Sequence, residues 1–238
     1  MNLRFPPLTV FALLASMLVS TLIGISSVNA QPAGPSAAEV MIARMVGLPQ
    51  HRTADGAFVL GETDAPLTLI IFFDWACPHC QRYHDVVELP LLDHVEAGQV
   101  RLELRALPTA GGMFTVSAAR MAECVEAQIF GGFRSMYVHL YELAAAQQYT
   151  EIAMLRQVDR FGIDQGQFDA CLRKAEQITR DVAFAVERGV NSTPAVMMRQ
   201  GDGEAAFITY GGLRYDRGPV PLEVLLALIE MSAGGGAG

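Results

Sequence analysis

Apolar residues in the first half of the chain follow spacings typical of buried strands and of one helix. The continuous run LTLIIFF at 67–73 is rich in β-branched and aromatic residues, which predicts a strand buried on both faces. The segments at 57–60 and 100–107 also predict strands. Helical spacing covers 78–96, and Pro90 within it is expected to bend the helix because proline lacks a backbone N–H. The first half therefore predicts the order β-β-α-β.

The second half begins with a long helical block. Between 114 and 188 no segment has a convincing strand pattern, and glycine breaks separate the helical segments. Strand patterns return at 195–199 and 205–210, and a last amphipathic helix is predicted at 221–231. A short helix at 37–46 precedes the first strand. The chain is therefore predicted to be α/β, with a small mixed sheet and a helical block inserted between its β-α-β and β-β-α units.

The first 30 residues differ from the rest of the chain. They contain no acidic residue and one basic residue, Arg4, which is followed by an apolar run from Leu8 to Ile25. Val28 and Ala30 have the spacing that signal peptidases accept, so residues 1–30 are interpreted as a signal peptide cleaved after Ala30. An uncleaved membrane anchor is the alternative, since the apolar run approaches the length that spans a bilayer. Both interpretations predict a periplasmic or other extracytoplasmic protein.

The net charge of the chain limits the classes of partner that it is expected to bind. The chain has 17 Lys and Arg against 25 Asp and Glu, and removal of the signal peptide with Arg4 leaves 16 − 25 = −9. An acidic chain without basic clusters is not expected to bind nucleic acid or anionic membranes.

A CPHC motif at 77–80 follows the central predicted strand directly. Two cysteines at this spacing can form a redox pair, contribute half of a zinc site, or simply pack as small apolar residues. A zinc site would recruit His84 as a third ligand, but no second pair of ligands is near in sequence, so no metal is expected. The redox pair is the favoured interpretation.

The start of a helix is a reactive position for a cysteine. Unpaired backbone N–H groups and the positive end of the helix dipole favour the thiolate of Cys77. Pro78 suits the first helical position, and His79 adds positive charge beside the sulfur when it is protonated. A stabilised thiolate is a good leaving group and makes the disulfide oxidising. Cys77 is therefore predicted to be the sulfur that substrates attack, and Cys80 its less exposed resolving partner.

The chain resembles the DsbA-like branch of the thioredoxin superfamily. The resemblance rests on the strand–CPHC–helix junction at 67–80, on the sequence GVNSTPA at 189–195, and on the order of the predicted elements. It implies an α/β thioredoxin fold with an inserted all-helical domain. The predicted parts are a signal peptide at 1–30, an N-terminal extension with a short helix at 31–56, the first part of the thioredoxin fold at 57–110, the inserted helical domain at 111–189, the second part of the thioredoxin fold at 190–232 and a disordered tail at 233–238.

The resemblance also implies a second site element and a function. The Thr193–Pro194 peptide bond is expected to be cis and to lie against Cys77 and Cys80, with the backbone of Thr193 free to pair with an extended substrate. The implied activity is that of a protein disulfide oxidase, with no cofactor other than the Cys77–Cys80 disulfide. Its implied partners are reduced or unfolded exported proteins and a quinone-linked membrane protein of the DsbB type. A disulfide isomerase or reductase of the same fold and a peptide-binding chaperone remain alternatives.

Two residues between the strand and the motif are candidate modulators. Asp74 is the acid nearest to Cys77 and is expected either to tune the pair or to be a solvated acid at a strand end. Trp75 is expected, with Phe73, to shape an apolar rim around Cys77 and to contact substrate. Some DsbA-like proteins have a buried carboxylate in the strand before the motif as a proton relay, and LTLIIFF contains none.

Cys124 and Cys171 are the remaining cysteines. An even number of cysteines in an exported chain favours pairing, and a C-x-x-C pair is close enough to bond to itself. Apolar neighbours at helical spacing place Cys124 and Cys171 on inward helix faces. We therefore predict a structural disulfide between them, with two buried free thiols as the alternative.

Overall fold

The computed structural model describes residues 36–234. The predicted signal peptide at 1–30 lies outside the described residues, as do 31–35 and 235–238. Within 36–234, no helix is both long enough and apolar enough to cross a membrane.

The described residues contain the predicted elements in the predicted order, together with two short strands that were not predicted. The strands are β1 Gln50–Arg52, β2 Phe58–Leu60, β3 Leu67–Phe73, β4 Val100–Ala106, β5 Ala195–Gln200, β6 Ala206–Tyr210 and β7 Leu213–Tyr215. The helices are α1 Ala37–Gly47, α2 Pro78–Tyr83, a π-helical turn His84–Glu88, α3 Leu89–Glu96, α4 Met113–Glu126, α5 Gly132–Ala145, α6 Glu151–Asp159, α7 Gln165–Leu172, α8 Gln177–Glu187 and α9 Leu222–Gly234.

The sheet has the strand order β1-β2-β4-β3-β5-β6-β7. The β3–β4 pair is parallel and every other pair is antiparallel. All seven residues of β3 are buried, as the LTLIIFF pattern predicts. Because β5 runs antiparallel to β3, with Phe72 opposite Ala195, the end of β3 and the start of β5 lie at the same edge. This edge brings the two predicted site segments together.

The elements missing from the sequence-based prediction are short. Strand β1 has three residues and pairs with β2, and strand β7 has three residues and pairs with β6. The β6–β7 hairpin turns through Gly211 and Gly212, whose φ angles of 57° and 81° suit glycine in a tight hairpin turn. The predicted disordered tail at 233–238 begins too early, because α9 continues to Gly234.

The helix after the CPHC motif contains a wide turn. Between α2 and α3, the Leu89 N–H donates to the His84 carbonyl, one residue further back than in an α-helix. Pro90 follows this turn directly. A proline ring collides with the carbonyl four residues earlier in a regular α-helix, and the π-helical turn relieves this conflict.

The inserted helices α4 to α8 share one hydrophobic core with the sheet. Phe73 at the end of β3 packs edge-on against Trp75 and against Tyr137 of α5, with ring centroids 4.8 Å apart in both pairs. The same cluster of buried residues continues through α2, α3 and α9. The helical block therefore packs directly against the elements that present the CPHC motif.

Candidate active site

The backbone at the CPHC motif places Cys77 at the start of a helix. Cys77 is the N-cap of α2 in an extended conformation, and Pro78 takes the first helical position. The Cys77 N–H donates to the Asp74 carbonyl at 3.0 Å, which closes the turn between β3 and α2. Proline fits here because the first N–H groups of a helix have no intrahelical acceptor.

The two sulfurs of the motif differ in exposure. Cys77 and Cys80 are both free thiols, and both residues are buried, with 6% and 1% of their surface exposed. Pro78 and His79 are exposed beside them. Burial raises the pKa of the Cys80 thiol well above its ordinary range. Cys77 is therefore the sulfur that an external thiol can reach more easily.

The Thr193–Pro194 segment faces Cys77, and its peptide bond is cis, which confirms the expectation from the resemblance. The Cys77 Sγ lies 3.4 Å from the Thr193 carbonyl oxygen and donates to it. The Thr193 hydroxyl is hydrogen-bonded to the hydroxyl of Thr109, in the loop after β4. Sequence analysis did not identify Thr109, which reaches the site only through the parallel pairing of β3 and β4.

Asp74 is fully buried, so the interpretation as a solvated strand-end acid is wrong. Its carboxylate accepts the N–H groups of Ala110 and Gly111 at 2.6 and 2.9 Å and the Thr115 hydroxyl at 2.6 Å. A side chain at Gly111 would collide with Thr115, so only glycine fits this close approach. Asp74 therefore joins the CPHC turn to the loop and helix that begin the inserted segment.

Trp75 does not form part of an exposed rim, which corrects the sequence-based assignment. Its side chain is fully buried and its indole N–H donates to the Tyr137 carbonyl at 3.1 Å. The Tyr137 ring of α5 packs against this indole, with ring centroids 6.1 Å apart. Trp75 therefore positions the motif and does not contact a substrate at the surface.

Cys124 and Cys171 form a disulfide with a Cα–Cα distance of 5.6 Å, which confirms the predicted bond. The bond joins α4 to α7 inside the helical block. Cys124 is fully buried, and Cys171 is half-buried at the edge of the core.

The third ligand of the zinc alternative has another partner. The His84 Nδ1 lies 2.9 Å from a Glu88 carboxylate oxygen, and both side chains are buried. Among residues 36–234, no three His, Cys, Asp or Glu side chains lie together as a group that could hold a metal ion.

The site combines a dithiol at the start of the helix after the central strand with a cis-proline segment that faces it. This combination defines a thioredoxin-type redox fold. Residues 53–205, more than half of the chain, match the family model described as Thioredoxin. The chain belongs to this family.

Two curated relatives are longer than the matched region. The chain is 31% identical over 183 residues to the Na(+)/H(+) antiporter NhaA 3 of Salinispora tropica, covering 75% of this chain and 25% of the antiporter. It is 26% identical over 144 residues to an uncharacterized protein of Haemophilus influenzae, covering 58% of each chain. The chain thus spans less than two thirds of either relative.

Two solved structures share the fold of this chain. The chain is similar to α-DsbA1 of Wolbachia pipientis in its C97A/C146A form, with a TM-score of 0.61, 16% identity, and 81% and 96% of the two chains covered. It is also similar to oxidised BdbD of Bacillus subtilis, with a TM-score of 0.59, 19% identity, and 79% and 98% coverage. The predicted α/β thioredoxin fold with inserted helices is therefore confirmed.

Proposed function

We propose that this protein is an extracytoplasmic thiol:disulfide oxidoreductase that donates the Cys77–Cys80 disulfide to reduced client proteins. The observation that carries the proposal is the asymmetry of the pair. Both cysteines are buried, but Cys77 is the less buried one, at a helix start with its Sγ 3.4 Å from the Thr193 carbonyl, while Cys80 lies one turn further along. In thiol–disulfide exchange, the external thiol attacks the sulfur that it can reach, which is Cys77. The internal sulfur, Cys80, then serves as the resolving partner.

The reaction proceeds by two exchanges. A client thiolate attacks the Cys77 Sγ, the Cys77–Cys80 bond breaks, and Cys80 leaves with the electron pair and takes up a proton. A second client thiolate then attacks the client sulfur of the mixed disulfide, and Cys77 leaves as a thiolate. Two electrons pass from the client dithiol to the enzyme, and the client keeps a disulfide. A quinone-linked membrane protein of the DsbB type, as the family resemblance implies, would then restore the Cys77–Cys80 disulfide.

The surface beside Cys77 suits an unfolded client. Met113 and Phe114 at the start of α4 are 74% and 51% exposed, and the Asp74 contacts hold this helix start close to the motif. Exposed apolar side chains bind the apolar segments that unfolded chains expose. The Thr193 backbone adds acceptor and donor groups for an extended segment.

A trapping experiment tests the proposal. Incubated with a reduced client peptide and an oxidant, the Cys80→Ala variant should accumulate a mixed disulfide with Cys77, because no resolving thiol remains. The matched Cys77→Ala variant should accumulate far less, since Cys80 is buried. Equal accumulation by both variants would contradict the assigned roles. Full activity of Cys77→Ser in client folding would instead favour the chaperone alternative.

A further inference from the structure

A group of arginines lies on the sheet face opposite the CPHC helix. Cys80 of that helix belongs to one buried cluster, whereas Ile70 and Phe72 of β3 belong to another, together with Ala185 of α8. Beside α8, this second face has a cavity of about 570 Å³. The arginines that line the cavity are Arg105 of β4, Arg180 of α8, Arg188 at the end of α8 and Arg199 of β5.

The fold brings these basic residues together from separate elements, and the sequence therefore contains no basic cluster that predicts them. The whole chain has 17 Lys and Arg against 25 Asp and Glu. Four guanidinium groups at one cavity thus differ from the acidic average of the chain. A local excess of positive charge attracts anions even when the net charge of the molecule is negative.

Arg105 and Arg180 are already bound to protein groups. Arg105 is 1% exposed, and its two Nη atoms donate to the Asp55 carboxylate at 2.7 and 3.0 Å. The Arg105 Nε donates to Glu103 at 2.6 Å. The Arg180 Nε donates to the Asp55 carbonyl at 2.8 Å. These two arginines therefore build one wall of the cavity.

Arg188 and Arg199 keep unused donors. The Arg188 Nη1 lies 2.8 Å from Glu187, and the Arg199 Nη1 lies 3.0 Å from Glu103. Within residues 36–234, the Nε and Nη2 atoms of both arginines have no hydrogen-bond acceptor, and the two side chains are 29% and 21% exposed. Both arginines also line an adjoining cavity of about 420 Å³, so they lie where the two cavities meet. Two guanidinium groups with unused N–H donors therefore face the same solvent-filled space.

The ring of Phe184 holds Arg188 in place. The Arg188 Cζ lies 3.8 Å from the ring centroid, and the Arg105 Cζ lies 3.6 Å from it. A guanidinium that stacks on an aromatic ring keeps its N–H donors in its own plane, where they remain available to a ligand. Because the side chain is already ordered, binding costs less conformational entropy.

The carboxylates around the cavity do not cancel its positive charge. Asp55 is bound to the buried arginine, and Glu187 is 74% exposed, so its ion pair with Arg188 is weak. The buried Glu103 and Asp181 lie behind the cavity wall, and burial raises the pKa of Asp181 to about 7. When Asp181 is protonated, the four arginines exceed the three remaining carboxylates.

We propose that Arg188 and Arg199 bind a small oxyanion of the carboxylate or phosphate class in this cavity. The site is separate from the CPHC motif and does not depend on the proposed oxidoreductase function. Arginine donates two parallel hydrogen bonds to carboxylate and phosphate oxygens, and these charge-assisted bonds are among the strong ones in proteins. The volume of the cavity lies within the range of small-molecule sites, roughly 300–1,000 Å³.

A titration followed by NMR tests the proposal. Protein labelled with ¹⁵N is titrated at pH 7 with sodium phosphate and, separately, with sodium succinate, and sodium chloride at equal ionic strength is the reference. At least one of the two oxyanions should cause saturable shifts in the signals of Arg188, Arg199 and Phe184. Saturation by phosphate alone or by succinate alone would support the site and identify the class of ligand. Shifts no larger than those caused by chloride would overturn the proposal.

Matched variants separate a specific site from general screening of charge. Arg188→Gln and Arg199→Gln should each weaken binding about tenfold or more, because each removes charge-assisted hydrogen bonds. Arg214→Gln, at a side chain that is 62% exposed on β7, should keep the wild-type affinity. Wild-type affinity in Arg188→Gln and in a folded Arg199→Gln would overturn the proposal, and Arg188→Gln decides alone if Arg199→Gln does not fold. Trapping of a mixed disulfide at Cys77 should be unchanged in Arg188→Gln, so the two proposals succeed or fail separately.

Discussion

Cys77 and Cys80 are three residues apart, yet a single helical turn gives them different chemistry. Cys77 lies at the N-cap, where α2 provides unpaired N–H groups, and Cys80 points into the core and is 1% exposed. Burial raises the pKa of the Cys80 thiol, which makes it a poor target for reagents in solution. We therefore expect a client thiol to attack Cys77 rather than Cys80.

The first prediction concerns these two thiols. Iodoacetamide at pH 6 to 7 should alkylate Cys77 at least tenfold faster than Cys80, since a less exposed and more fully protonated thiol reacts slowly. Peptide mass spectrometry over a time course measures both rates on the reduced protein. Comparable rates would remove the asymmetry on which the proposed function depends.

The second prediction concerns Asp74. Replacing it by alanine leaves the N–H groups of Ala110 and Gly111 and the Thr115 hydroxyl without their acceptor, which should destabilise the protein by about 2–4 kcal/mol. Urea unfolding measures the change in free energy. Asp202→Ala, in an exposed turn, is the matched control and should change stability by less than about 0.5 kcal/mol. A loss below about 1 kcal/mol in Asp74→Ala would show that these contacts contribute little.

At the scale of elements, the site exists because β3 lies between β4 and β5. The parallel pairing with β4 brings the loop that contains Thr109 to the end of β3, and the antiparallel pairing with β5 brings Pro194 there. The inserted helices then cover this edge, and the Cys124–Cys171 bond ties α4 to α7 within the helical block. The two cysteine pairs therefore belong to different elements. Mutation of the Cys124–Cys171 pair should leave the redox properties of the Cys77–Cys80 pair unchanged.

The third prediction tests this separation. The Cys124→Ala/Cys171→Ala variant removes a bond between residues 47 apart in sequence, for which chain entropy suggests a loss of about 4 kcal/mol in unfolding free energy. Its melting temperature should fall while the reduction potential of Cys77–Cys80 stays unchanged. A shifted potential would show that the helical block also tunes the redox pair.

The fourth prediction concerns a buried acid that joins α8 to β4. Asp181 accepts the Ala106 N–H at 3.2 Å, and burial raises its pKa to about 7 from an ordinary value of 3.8. Folded protein therefore keeps this proton between about pH 4 and 7 while unfolded protein releases it, so stability falls as pH rises through this window. Asp181→Asn should flatten that decline by about 1 kcal/mol or more, as measured by urea unfolding at pH 5 and pH 8. An identical pH dependence in both proteins would show that Asp181 is already ionised in the fold.

At the scale of the molecule, long hydrophobic patterns predicted a mixed sheet with a helical insertion, and the resemblance to DsbA-like proteins supplied the thioredoxin fold and the cis bond. LTLIIFF and the helical block predicted the central strand and the inserted helices, whereas the cis Thr193–Pro194 bond was expected from the resemblance alone. The three-residue strands β1 and β7 were not predicted, since so few residues have no detectable period, although the Gly211–Gly212 pair was a usable hairpin signal.

The part of the site that sequence could not predict depends on contacts between distant segments. Asp74 and Trp75 were identified as site residues, but their burial is set by α4 and α5, more than 35 positions further along the chain. The pairing of Tyr137 with Glu88 spans 49 positions and leaves no local pattern. Periodicity indicates which side of an element is buried, but not which buried polar groups meet there.

The reduction potential of the Cys77–Cys80 pair tests the central claim most directly. Equilibration of the purified protein with glutathione buffers, followed by quantification of the dithiol, gives this value. A disulfide donor should have a potential above about −230 mV, because transfer of the disulfide to a client is favourable only when the enzyme's potential is higher than the client's. A potential near that of thioredoxin, about −270 mV, would contradict the account and identify the protein as a reductase.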